Sequence, residues 1–176
     1  MSYKRLTILL LILSFILIFA GCLGNLFPLT PSVAPPEEKV GVFYLEPANL
    51  TITSSKDFTV ELMNTSVTNL KAYSVTLSYD PELIRLNEVT EGSFFSSKGE
   101  TFFYRDIDNQ EGSVLIDCAI LGRDLSVSGE GTLANLSFTC LKAGETGITF
   151  EFTDTRDTYN KTMVTTKRDA VIKNKY

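Results

Sequence analysis

An all-β fold, a sandwich or jelly roll, is predicted by three observations. From Val40 onward apolar side chains recur at every second position, turn-forming pairs separate the runs, and no helical stripe persists. Phe58, Val60 and Leu62 alternate with Thr59 and Glu61; Tyr73, Val75, Leu77 and Tyr79 alternate with Ser74, Thr76 and Ser78. Ala134, Leu136, Phe138 and Cys140 alternate with Asn135, Ser137 and Thr139, and Ile148, Phe150 and Phe152 with Thr149, Glu151 and Thr153. Each run buries one face and wets the other, the antiparallel pattern. Asp80-Pro81, Glu91-Gly92, Glu111-Gly112, Ala143-Gly144 and Thr146-Gly147 supply the turns between them. Residues 40–176 are enough chain to bury such a core without help from metal or disulfide.

The N-terminal residues read as an address. Lys4 and Arg5 precede an apolar run from Leu6 to Phe19, broken only by Thr7 and Ser14, and the run ends in Ala20-Gly21-Cys22. A basic start, a short apolar stretch and small residues form a secretory signal. Phe19-Ala20-Gly21-Cys22 resembles a lipobox, so residues 1–21 are expected to be a lipoprotein signal peptide, with Cys22 as the lipidated residue. An uncleaved helix from Leu6 to Leu23 is the alternative. Both place the remainder on the extracytoplasmic face of the cell membrane, because Lys4 and Arg5 hold the N-terminus inside. Residues 22–39 then form the lipidated cysteine and a tether in which Pro28, Pro31, Pro35 and Pro36 favour extended, semi-rigid chain.

Composition removes several chemistries. The 176 residues include no His and no Trp, with 21 acidic against 16 basic side chains for a net charge of −5. Without His there is no imidazole base, no Ser-His or Cys-His pair and no common catalytic zinc set. The acidic balance argues against nucleic acid, whose backbone needs clustered Lys and Arg. Paired carboxylates for glycoside hydrolysis are numerically available, but a compact sandwich leaves little room for a cleft. No enzyme activity is expected.

One strand breaks the pattern. Val114, Ile116, Cys118 and Ile120 form its inward set, yet its other face carries Leu115, Asp117, Ala119 and Leu121. Three apolar groups on a nominally wet side invite a partner; the alternative is a central strand covered by the Gly122–Gly131 loop. Cys118 and Cys140 both fall on inward parity. If their strands form a hairpin through that loop, Cys118 faces Asn135 and Cys140 lies too far away for a bridge. Two buried free thiols are expected, with a disulfide as the alternative.

The order of motifs resembles that of cohesin domains. Ala72-Tyr-Ser-Val-Thr-Leu-Ser-Tyr-Asp-Pro-Glu-Leu83 with Val89-Thr-Glu-Gly92 is similar to their third and fourth strands. Gly129-Glu-Gly-Thr-Leu-Ala-Asn-Leu-Ser-Phe138 followed by Lys142-Ala-Gly-Glu-Thr-Gly147 is similar to a later stretch. The resemblance implies a nine-stranded antiparallel β-sandwich of jelly-roll topology, related to family 2 and 3 carbohydrate-binding modules. It also implies a partner: a dockerin-bearing or other extracellular protein, in assemblies that degrade polysaccharide. Calcium would belong to the dockerin, and no metal or cofactor is expected on this chain. The implied partner-binding residues are Ala72, Ser74, Thr76, Leu115, Asp117, Ala119, Leu121, Asn135 and Ser137. Ala72 and Ser74 stand where well-known cohesins carry Asn and Asp, which makes this face more apolar.

Other signals are weaker. Asn-x-Ser/Thr triplets occur at Asn49, Asn64, Asn135 and Asn160. Asp106-Ile-Asp108-Asn-Gln-Glu-Gly112 resembles the start of a calcium loop, but its third ligand slot holds Gln110 and its glycine comes one place late, so a hairpin turn explains it better. Direct polysaccharide binding, the rival function, usually needs an exposed aromatic row. Phe94, Phe95, Phe102 and Tyr104 are the candidates, although burial is the expectation for them. A surface-layer or adhesion lipoprotein is a more distant alternative.

Overall fold

The computed structural model describes residues 41–53 and 56–175. The expected signal peptide, Cys22 and the tether lie outside the described residues. Ten strands and one short helix follow in order: β1 (Gly41–Glu46), β2 (Asn49–Ile52), β3 (Asp57–Tyr79), β4 (Ile84–Glu91), α1 (Ser93–Ser96), β5 (Thr101–Asp108), β6 (Ser113–Ile120), β7 (Val127–Cys140), β8 (Gly144–Asp157), β9 (Thr165–Arg168) and β10 (Ala170–Asn174). Among the described residues there are thus ten strands where nine are expected. The sheet is not wholly antiparallel either, because β1 pairs with β9 and β2 with β10 in parallel.

One long strand organises both layers. The first part of β3 pairs with β1 and β7, while its later part pairs with β6 and β8. Register shifts between Leu62 and Leu70, with Ser66 and Asn69 at positive φ, re-aim the strand from one layer to the other. Side chains hold this corner: Asn64 Nδ2 donates to the Gly129 carbonyl at 3.0 Å, and Asn69 Nδ2 to Thr158 Oγ1 at 3.1 Å. One layer thus runs β9-β1-β3-β7-β4 and the other β5-β6-β3-β8-β10-β2.

The core lies between the layers, where the alternating apolar residues converge. Phe43 of one layer meets Tyr73 of the other edge-on at 5.9 Å, and Phe138 meets Tyr79 at 5.4 Å. Phe58 stacks on Phe138 at 5.3 Å. Phe94 and Phe95 on α1 are buried, Phe95 against Tyr73 at 5.5 Å, so these two close the core and do not form a surface aromatic patch. Burying each such ring contributes about 1.5–3 kcal/mol.

The turns behave as their residues dictate, except that the expected turn at Thr146-Gly147 lies inside β8, paired with Ile172 and Val171 of β10. Asp80 Oδ1 accepts from the Glu82 N–H at 2.8 Å while its carbonyl accepts from Ile84 at 3.1 Å. The Asp106–Gly112 segment is the β5–β6 hairpin, closed by Asp108 Oδ1 on the N–H groups of Gln110 (2.9 Å) and Glu111 (3.0 Å).

Cys118 and Cys140 are buried free thiols, for a different reason from the one expected. The β6–β7 hairpin does not form. β6 pairs with β3 and β5, whereas β7 pairs with β4 and the first part of β3, so the two thiols belong to opposite layers.

Candidate functional site

The outer face of β5-β6-β3-β8 collects most of the residues expected to bind a partner. Strand register arranges it in rows. Phe102, Ala119, Ala72 and Arg156 face one another across the four strands. Tyr104, Asp117, Ser74 and Asp154 form the next row, then Asp106, Leu115, Thr76 and Phe152. Polar side chains close this end: Ser78 Oγ lies 2.7 Å from Thr149 Oγ1 and donates to Glu151 Oε1 at 2.7 Å. Leu121 prolongs the apolar line of β6 at the other end and is 46% exposed. Leu115 and Ala119 are half-buried, so none of the described residues seals this wall.

Asn135 and Ser137 are not part of it. They lie on β7, opposite Glu61 and Thr59 of the first part of β3, and therefore belong to the other layer. The correction has a topological cause: alternation tells which residues share a face of one strand, but not which layer that strand joins. The outer surface around them, with Glu61, Thr59, Thr90 and Thr139, is polar throughout.

Four side chains were missed from the sequence: Tyr104 and Phe102 were expected to be buried, and Phe152 and Arg156 went unread as partner residues. Phe102 and Tyr104 are 55% and 45% exposed. Phe152 was expected inward with Ile148 and Phe150. A register shift between Thr76 and Leu77 reverses the parity of β8: Leu77 opposes Phe150, while Thr76 opposes Phe152. Phe152 is consequently 51% exposed, and Thr155, three places on, is buried. The detectable signal was the sequence Phe152-Thr-Asp154-Thr-Arg156, whose even positions make a coherent polar-aromatic face.

At the centre is a shallow depression of about 270 Å³ lined by Ala72, Ser74, Phe102, Asp117, Ala119 and Arg156, among others. Asp117 Oδ1 is buried here without a hydrogen-bond partner. Such an unmade bond costs about 1–3 kcal/mol. Arg156 Nε donates to Asp154 Oδ2 at 2.8 Å, a partly exposed pair worth at most about 1 kcal/mol.

Beneath the face, burial and then the Glu91 carboxylate push the Cys118 thiol up to about 12. Burial likewise pushes the Tyr79 hydroxyl up to about 12 and that of Tyr73 well above its ordinary range. These acids are held neutral in the folded chain, so above about pH 9 the unfolded chain releases protons that the folded chain keeps. Their stabilisation is fully present below that pH and is lost as pH rises toward 12. Each group contributes a slope of about 1.4 kcal/mol per pH unit. Urea midpoints measured from pH 8 to about 10.5 are expected to fall less steeply in Cys118→Ala than in the parent; parallel slopes would exclude Cys118 as a source.

A cohesin domain model matches residues 53–174. The chain belongs to the cohesin family. Solved structures share its fold at low identity. A non-cellulosomal cohesin from the hyperthermophilic archaeon Archaeoglobus fulgidus matches with a TM-score of 0.65 at 13% identity, over 78% of this chain and 92% of that one. A cohesin from Clostridium thermocellum, solved as a type I cohesin–dockerin complex, gives 0.65 at 12% identity over 80% and 97%. A type II cohesin from the Acetivibrio cellulolyticus cellulosome gives 0.63 at 17% identity over 76% and 94%. No curated protein matches this cohesin.

Proposed function

We propose that this cohesin is a non-catalytic capture module, held on the outer side of the cell membrane by lipid on Cys22, whose β5-β6-β3-β8 face binds a dockerin-type protein for cell-surface assembly in polysaccharide degradation. The carrying observation is the apolar line on that face, Leu115, Ala119 and Leu121 flanked by Phe102 and Phe152, where the other layer sets Asn135 and Ser137 among Glu61, Thr59, Thr90 and Thr139. Apolar side chains at the centre of a flat patch supply roughly 25 cal/mol per Å² removed from water before association costs. The lipobox and proline tether support the anchoring.

Titrating the 40–176 fragment against calcium-loaded dockerins and, separately, against insoluble cellulose and chitin tests the reading. Dockerin binding without glycan binding is the expected result. Leu121→Asp is expected to abolish capture while leaving the melting temperature within a few degrees, since the side chain is 46% exposed. Retained affinity would count against the face. A second reading, direct glycan binding, is favoured by Phe102 and Tyr104, two exposed rings on the same side of β5; glycan retention without any dockerin response would replace the first reading with this one.

A further inference from the structure

We infer that the central depression is a receptor for one basic side chain, a lysine or arginine carried on an otherwise apolar partner surface. The inference rests on the docking role given to this face and names the chemistry of what docks there.

The first support is Asp117. Its Oδ1 is buried and has no hydrogen-bond partner, although Asp117 sits in the middle row of the face between Tyr104 and Ser74. A carboxylate oxygen withdrawn from water calls for a donor, and a cationic donor makes the shorter and stronger bond. The chain's own cation beside the depression is already committed. Arg156 Nε is on Asp154 at 2.8 Å, and its Nη1 donates to the Asn160 carbonyl at 3.3 Å.

Charge complementarity is the second support. The lining of the depression carries Asp117 and Asp154 against Arg156, and Asp106 stands one row away on β5. A net negative lining with apolar surroundings draws in a positive group and disfavours an acidic one. The third support is shape. Phe102 and Ala119 wall the depression, and a volume of about 270 Å³ takes a long side chain. An aromatic wall suits a guanidinium stacked on its face or the methylene stem of a lysine, while the charged head reaches Asp117.

Full-length protein in detergent micelles, carrying isotope-labelled aspartate and alanine, is titrated with n-butylguanidinium and, separately, with butan-1-ol. The expected result is a saturable shift of the Asp117 carboxyl and Ala119 methyl signals with the guanidinium, and a response at least about fivefold weaker with the neutral alcohol. Asp117→Asn, which keeps the shape and removes the charge, is expected to lose the guanidinium response with its melting temperature unchanged or raised. Equal response to both probes, no response to either, or an undiminished response in Asp117→Asn overturns the inference.

Calcium-loaded dockerins separate this inference from the docking reading. Asp117→Asn is expected to bind them at least about tenfold more weakly, with a shallower salt dependence. Equal capture by parent and variant removes the receptor and leaves the docking face. Capture by neither, alongside a positive guanidinium titration, removes the dockerin reading and leaves the receptor.

Discussion

Truncating Phe102 and Phe152 together to alanine is expected to weaken dockerin capture by roughly three orders of magnitude while barely changing stability. The two rings stand on opposite sides of the face, on β5 and β8, and enclose the Leu115 and Ala119 line of β6. They are 55% and 51% exposed, so folding draws only part of their apolar area out of water and docking can remove the rest. Buried aromatic anchors at an interface typically cost about 2 kcal/mol or more when truncated, which is roughly thirtyfold in affinity for each. Melting temperature and titration calorimetry on the single and double variants check the claim. A double variant within about fivefold of the parent would show that neither ring is an anchor. An equal loss on truncating Tyr44, on the outer side of the other layer, would show that the wrong surface had been chosen.

Gly112→Ala should destabilise the domain by roughly 3–5 kcal/mol, lowering the melting temperature by about 10 °C or more. Two costs combine. Gly112 has φ +68°, where a β-carbon is disfavoured by about 1–2 kcal/mol. A β-carbon there would also meet the Tyr79 carbonyl oxygen at 2.2 Å and Pro81 Cδ at 2.6 Å. The backbone has no easy retreat, because the Gly112 carbonyl accepts the Tyr79 N–H at 2.8 Å. Asn109 adds to the clamp: its Oδ1 accepts from Tyr79 Oη at 2.9 Å and from the Leu86 N–H at 3.0 Å. Gly129→Ala provides the control, since Gly129 has φ +113° but nothing within 4 Å of the added carbon. Denaturant melts should show a smaller loss for Gly129→Ala. Equal losses would mean that strain alone, without the contact to Tyr79, sets the cost.

Much of the candidate face is legible in the sequence. The odd apolar set Leu115, Ala119 and Leu121 was visible as a break in alternation, and the register places Ala72, Ser74 and Thr76 directly beside Ala119, Asp117 and Leu115. Alternation works here because both strands run straight through these rows. It failed at Phe152, where a single register shift reverses every later side chain of β8. At Asn135 and Ser137 alternation read the outward parity correctly, and it was the resemblance that assigned their strand to the partner face, whereas β7 belongs to the other layer.

The residue pattern by itself determined that the chain is a two-layered β structure, which side of each regular strand is buried, where the turns at Asp80-Pro81 and Glu111-Gly112 fall and that Cys118 and Cys140 point inward. These follow from local chemistry: period-two burial, glycine and Asx turns, and the absence of a helical stripe. Only the tertiary structure decided how β3 is shared between the layers, that β6 and β7 part company, and which strands stand beside β6. Those outcomes depend on bulges at Leu62–Leu70 and Thr76–Leu77 and on pairings between residues distant in the chain. No single strand carries that information, because one displaced hydrogen bond re-aims all the side chains beyond it.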